Sequence, residues 1–185
     1  MPHHKSQLTT ALLLTSVLFS TAAYAQDEGA APTSPVTPKD GGRFRFGING
    51  AGGFESVGPL SGPMFGLDLR LGYQINDLLA VYAQPHLSLG SIGSGAISGL
   101  TGTFVTTVMA EATLADRFFV GAGVGFGVLN NPSGFAFEAR AGAYPLMSHA
   151  DADRSGLMLG VDVKTVFTGA ATGVVVLGCL GYESF

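Results

Sequence analysis

From Arg43 onward, apolar residues recur at every second position. In Met64–Ile75 (MFGLDLRLGYQI), Phe65, Leu67, Leu69, Leu71, Tyr73 and Ile75 alternate with Gly66, Asp68, Arg70, Gly72 and Gln74. A period of two over 12 residues is the signature of a β-strand with unlike faces. Leu157–Thr168 repeats it, with Leu157, Leu159, Val161, Val163 and Phe167 against Met158, Gly160, Asp162 and Lys164. The same reading predicts eight strands, near 43–56, 64–75, 79–91, 101–114, 118–130, 135–147, 157–168 and 174–185. The pieces between them (GPLSGP, ND, IGSGAISG, DR, NPSG, SHADADRSG and GAATG) read as turns. Strands this long exceed the five or six residues usual in soluble domains and suit a tilted bilayer crossing of roughly 9–11. The expected fold is all-β, an eight-stranded antiparallel up-and-down transmembrane β-barrel.

Parity refines the turns. Ile75 and Leu79 share the apolar face, as do Leu114 and Phe118, so each connection holds an odd number of residues. Asn76-Asp77-Leu78 and Ala115-Asp116-Arg117 are therefore expected as three-residue hairpin turns. A soluble lipocalin-like barrel shares this periodicity but turns its apolar face inward. The aromatic positions separate the two. Phe44, Phe46, Tyr73 and Phe118 fall at one set of strand ends, and Phe54, Phe65, Phe104, Phe135, Phe137 and Phe167 at or near the other. Aliphatic residues such as Ile48, Leu67, Val81, Val108 and Val124 lie between them. Two aromatic girdles around an aliphatic band match a bilayer with two interfaces, whereas a soluble core has no reason to sort rings by height. A helical span over the uncharged stretch 118–137 fails, because Gly121, Gly123, Gly125 and Gly127 would scatter around a helix but line one face of a strand.

The chain has 185 residues, 28 of them glycine, with 12% charged residues, one cysteine and a formal net charge of −4. One domain fits that length, and an acidic chain without a basic face is not a nucleic-acid binder. A single cysteine, Cys179, forms no internal disulfide and no CxxC-type zinc site. Residues 1–25 read as a cleaved secretory signal peptide: Lys5 precedes the apolar run ALLLTSVLF, and Ala23-Tyr24-Ala25 supplies the small-x-small cleavage rule. That run is too short for a membrane anchor. Residues 26–42 (QDEGAAPTSPVTPKDGG) read as a flexible periplasmic linker, which leaves 43–185 for the barrel.

The polar face carries the candidate chemistry: Arg45, Asp68, Arg70, Glu111, Glu138, Arg140, Asp162 and Lys164, with Glu55 and His86 beside them. Charges enclosed in a barrel must be paired or hydrated. A register between strands six and seven in which residue numbers add to 302 sets Arg140 against Asp162 and Glu138 against Lys164; a sum of 304 opposes Arg140 to Lys164. An eight-stranded barrel is just wide enough for side chains to fill, so the charges are expected to plug the lumen, a narrow ion path being the alternative. The glycine row 121–127 either seats large neighbours or leaves a small cavity. No cofactor or metal is expected. Asp151 and Asp153 fall short of a calcium loop, and the glycine string lacks the helix of a dinucleotide site.

By these features the chain resembles the small eight-stranded OmpA-like and OmpX-like outer-membrane barrels. The resemblance covers residues 43–185 and ends on Phe185 after VVVLGCLGYES. It implies a structural or envelope-integrity role in the bacterial outer membrane, contact with outer-membrane lipid and lipopolysaccharide, and recognition of Phe185 by the outer-membrane insertion machinery. No nucleic-acid partner is implied, and the oligomeric state is left open. Where the family favours an aromatic or apolar residue two places before the last, this chain has Glu183, with Tyr182 one step off. Either a bulge shifts the final residues or Phe185 leaves the face of Leu180 and Val176, and the facing of Cys179 stays open with it. His86-Leu87-Ser88 is similar to the His-x-Ser portion of the lipid A deacylase motif, but both residues lie on the polar face, so no enzyme is expected.

Overall fold

The computed structural model describes residues 42–94, 97–150, 153–169 and 171–185. The expected signal peptide, and the linker up to residue 41, lie outside the described residues. The described chain folds into eight strands: β1 Arg43–Val57, β2 Leu60–Gln74, β3 Leu79–Ser94, β4 Ile97–Leu114, β5 Phe118–Leu129, β6 Ser133–Ala150, β7 Asp153–Thr168 and β8 Thr172–Ser184. Each pairs antiparallel with its sequence neighbour, and β1 pairs with β8 to close the barrel. Closure leaves no sheet edge and satisfies the backbone within the wall, as a bilayer demands.

Several strands run further than the hydrophobic alternation does. GPLSGP narrows to a turn at Gly58-Pro59, with φ +57° at Gly58, because Ser56 pairs with Ser61 and Val57 with Leu60. IGSGAISG is mostly strand, from Ser91 paired with Leu100 to Ser94 paired with Ile97. SHADADRSG, expected as a solvated turn, is likewise paired up to Ala150 with Asp153, while residues 151–152 lie outside the described residues. Small and polar residues carry no facial preference, so the periodicity stops while the hydrogen-bond ladder continues. The two short turns are as expected. Arg117 N–H donates to the Leu114 carbonyl at 3.1 Å, with φ positive at Ala115 and Asp116, a backbone that matches the twist of a tight hairpin. At the other turn, Asn76 Oδ1 accepts from the amides of Leu78 and Leu79 at 2.9 and 2.8 Å.

The β6–β7 register adds to 302 from Gly134–Thr168 to Ala143–Leu159, so Glu138 faces Lys164 and Arg140 faces Asp162. It then shifts by one at a bulge between Ala143 and Leu146. Pro145 sits in the bulge, where its missing N–H leaves no ladder bond unmade. The bulge flips the facing: even-numbered residues point inward up to Tyr144, but Leu146 is exposed. Inward glycines let neighbouring strands close at a small radius. A Cβ at Gly125 would lie 1.9 Å from the Thr106 carbonyl oxygen, and one at Gly53 equally close to that of Val176.

Candidate functional site: the charged lumen

One end of the barrel holds the start of β1, the end of β8 and the turns at 75–78 and 115–117; this is the terminal end, and the other is the distal end. All ten girdle residues named above are on the exposed outer surface. Phe44 pairs with Tyr73 toward the terminal end. Phe126, Phe135 and Phe167 form a cross-strand row toward the distal one. Phe126 and Tyr182 add to this surface.

The eight anticipated lumen charges are all buried inside, as are Glu55 and His86. Seven strands project polar groups into one network, because the β5 wall is glycine. A Cβ at Gly121 would press on Glu111, at Gly123 on Met109, and at Gly127 on Val166. The row therefore seats large neighbours.

Toward the terminal end, Arg45 pairs with Glu111 across the lumen and with Glu183 at 2.5 Å. Arg70 pairs with Glu183, and Arg140 reaches Glu111 at 3.3 Å and Glu183 at 3.5 Å. The Tyr144 hydroxyl donates to Glu183 at 2.5 Å, and that of Tyr82 to Glu111 at 2.6 Å. A second knot centres on Lys164, whose Nζ lies 2.6 Å from Glu138 Oε1 and 3.3 Å from carboxylate oxygens of both Asp68 and Asp162. Gln84 joins the two knots, accepting from Arg70 Nε at 2.9 Å and donating to Glu138 at 2.6 Å. Asn49 donates to Asp68 at 2.6 Å, and His86 Nδ1 bonds the same carboxylate at 2.7 Å.

Beneath this network lies an aromatic floor. Phe119 and Phe185 flank Tyr144 at centroid distances of 5.2 and 5.6 Å. Arg45 stacks over Phe185 at 4.6 Å and Arg140 over Phe119 at 4.4 Å, so two cations are held by ring faces as well as carboxylates. Outside the floor, Asp77 and Asp116 on the two tight turns pair with Arg154 at 3.4 and 2.8 Å, and Asp77 also with Arg43 at 2.8 Å. These pairs are partly exposed, and such pairs contribute about 0–1 kcal/mol each. Arg154→Ala is accordingly expected to shift the urea unfolding free energy by less than about 1 kcal/mol; a larger loss would show the turns to be clamped by charge.

Phe185 does not share the outer face of Leu180 and Val176. It is buried, with Cys179 and Glu183 on the same inner face, and no bulge intervenes in β8. Sequence reading missed Glu183, Phe119 and Asn49 as members of the network. The stretch VVVLGCLGY is apolar on both faces, so nothing in it marks which parity is inward, and Glu183 inherits that ambiguity. Its pairing with Gly47, whose inward side leaves room for the Glu183 side chain, is the clue in retrospect.

Asp68, Asp162 and Cys179 gather potential metal-ligating atoms within 4.8 Å of one another. Lys164 Nζ already lies between the two carboxylates, so the cation of this knot is part of the chain. His86 and Ser88 both face the lumen, and Ser88 Oγ donates to the Thr103 carbonyl at 3.4 Å. A lipid in the surrounding bilayer meets neither of them.

No protein-family model matches the chain, and no curated protein matches it in sequence. In structure it is similar to Ail, the attachment invasion locus protein of Yersinia pestis, at a TM-score of 0.54 and 12% identity, covering 76% of this chain and 97% of that one. A second structure of Ail, in complex with the heparin analogue sucrose octasulfate, aligns at a TM-score of 0.52 and 10% identity, covering 75% and 98%. The chain has the fold of the small eight-stranded outer-membrane β-barrels.

Proposed function

We propose that this protein is an outer-membrane barrel with a structural, envelope-integrity role, set with its terminal end in the periplasm and its lumen closed by a salt-bridged plug. The observation that carries the reading is the network itself. Nine charged side chains (Arg45, Asp68, Arg70, Glu111, Glu138, Arg140, Asp162, Lys164 and Glu183) are paired across the lumen with no exposed side-chain surface. A path for hydrated ions needs charges that face water, and these face one another. Outward aromatics and aliphatics supply the surface for outer-membrane lipid and lipopolysaccharide. In β8, the part read by the insertion machinery is its outward row, Val176, Leu180 and Tyr182, rather than the Phe185 ring.

Planar-bilayer recording tests the closed lumen, with heat-shifted gel mobility first establishing that the refolded protein is a barrel. The expected result is a silent bilayer at about 0.15 M salt, where screening of buried pairs is weak. Discrete current steps from the wild-type protein would replace the plug with the alternative reading, a small passive channel. Lipid A composition measured with and without the protein is expected to be identical; lost acyl chains would bring back the enzyme reading of His86 and Ser88.

A further inference from the structure

The described lumen holds four permanent cations, Arg45, Arg70, Arg140 and Lys164, against six carboxylates, Glu55, Asp68, Glu111, Glu138, Asp162 and Glu183. The carboxylates thus outnumber the permanent cations by a surplus of two. Five of the carboxylates sit in the network. Glu55 does not. It is buried near the distal end, its carboxylate reaching across from β1 to β4, and its hydrogen bonds are with two hydroxyls: Thr103 Oγ1 at 2.7 Å and Thr101 Oγ1 at 3.2 Å. Among the described residues no cationic side chain pairs with it. The same part of the lumen is packed with Val105, Leu129, Ala136 and Val166, with Val57 against them. An unpaired carboxylate in such surroundings is costly, and hydroxyl hydrogen bonds compensate only part of its lost hydration.

We propose that Glu55, Thr101 and Thr103 form a cation site in the distal lumen, selective for a hard divalent ion of the Ca²⁺ or Mg²⁺ class. Two features fit that ligand. The donors are all oxygen, the type such ions take. The charge of the ion also offsets the surplus of two. Ions of this class keep coordinated waters, and the register places a use for one nearby. Thr103, Ser88 and Gly66 form one row across β4, β3 and β2, and Val105, His86 and Asp68 form the next. His86 Nε2 is buried and has no hydrogen-bond partner. A coordinated water donates to it, while Asp68 fixes the ring from its other nitrogen. Glu55 lies two residues from the β1–β2 turn, so the ion enters from the distal rim without passing the plug. The site thus stands or falls apart from the closed lumen.

The test is thermal unfolding of the full-length refolded barrel in nonionic detergent, read by heat-shifted gel mobility over a CaCl₂ and MgCl₂ series. An NaCl series at matched ionic strength is run alongside. The midpoint is expected to rise saturably with at least one divalent salt, by about 5 °C at ten to a hundred times the dissociation constant, and to stay flat in NaCl. Glu55→Gln is expected to abolish the rise, and Asp116→Asn, on an exposed turn, to leave it intact. Should Glu55→Gln not refold, Thr103→Val takes its place and is expected to move the response to at least several-fold higher ion concentration. A flat wild-type response, an equal rise in NaCl, or the same rise in Glu55→Gln (or in Thr103→Val where that stands in) would overturn the proposal.

Discussion

Replacing Glu183 with alanine is expected to destabilise the refolded barrel by about 3–5 kcal/mol, the cost of leaving buried charges without their partner. Glu183 is the carboxylate on which the terminal half of the lumen converges. It pairs with Arg45 and Arg70, approaches Arg140, and accepts from Tyr144. Arg45 and Arg140 keep Glu111, but Arg70 has no other carboxylate in an ion pair among the described residues. Its remaining bond is to neutral Gln84. The loss should therefore be concentrated on Arg70. Arg70→Met in the Glu183→Ala background should recover part of it, since the buried charge is then gone. Urea unfolding of the four proteins in the cycle measures this. A Glu183→Ala loss below about 1 kcal/mol would mean that water reaches the knot and hydrates the guanidinium groups.

That Glu183 had to be found in the structure shows where sequence reading stops. Period-two alternation defines a strand's two faces only when they differ in polarity. In β2 and β7 the inner face carries Asp68, Arg70, Asp162 and Lys164, so facing, register and the Arg140–Asp162 and Glu138–Lys164 pairings were all legible. In β8 both faces are apolar up to Tyr182: Val175, Leu177 and Cys179 turn inward beside Lys164, Asp162 and Gly160 of β7, while Val174, Val176 and Leu180 turn outward. The inward turn of Phe185 was then beyond reach. Phe119 is a second case: it adjoins the girdle residue Phe118, and only pairing geometry shows that one ring meets lipid while the other carries Arg140. Hairpin tips were misjudged for a related reason. Ser and Gly have no preferred face, so a paired strand composed of them looks like a loop.

Lys164 tests what closes the barrel, because its side chain supplies both a charge and a volume. Its ammonium is the shared partner of Asp68, Glu138 and Asp162. Glu138 and Asp68 keep only uncharged side-chain partners and His86 when it is removed. Lys164→Met keeps most of the volume without the charge and should lower stability by about 3–5 kcal/mol, with the bilayer still silent. Lys164→Ala removes both. Three carboxylates then border a space from which four heavy atoms of the side chain have gone, and water enters because the walls are charged. The expected recording is discrete steps carried by cations, reversing toward the cation equilibrium potential in a salt gradient, where the wild-type protein gives none. Currents from Lys164→Met of the same size would place the barrier in the charge alone, and silence in both variants would move it to the aromatic floor of Phe119, Tyr144 and Phe185 or to the apolar packing around Val105. Anion-selective steps from Lys164→Ala would contradict the geometry outright, since no uncompensated cation borders the opened space.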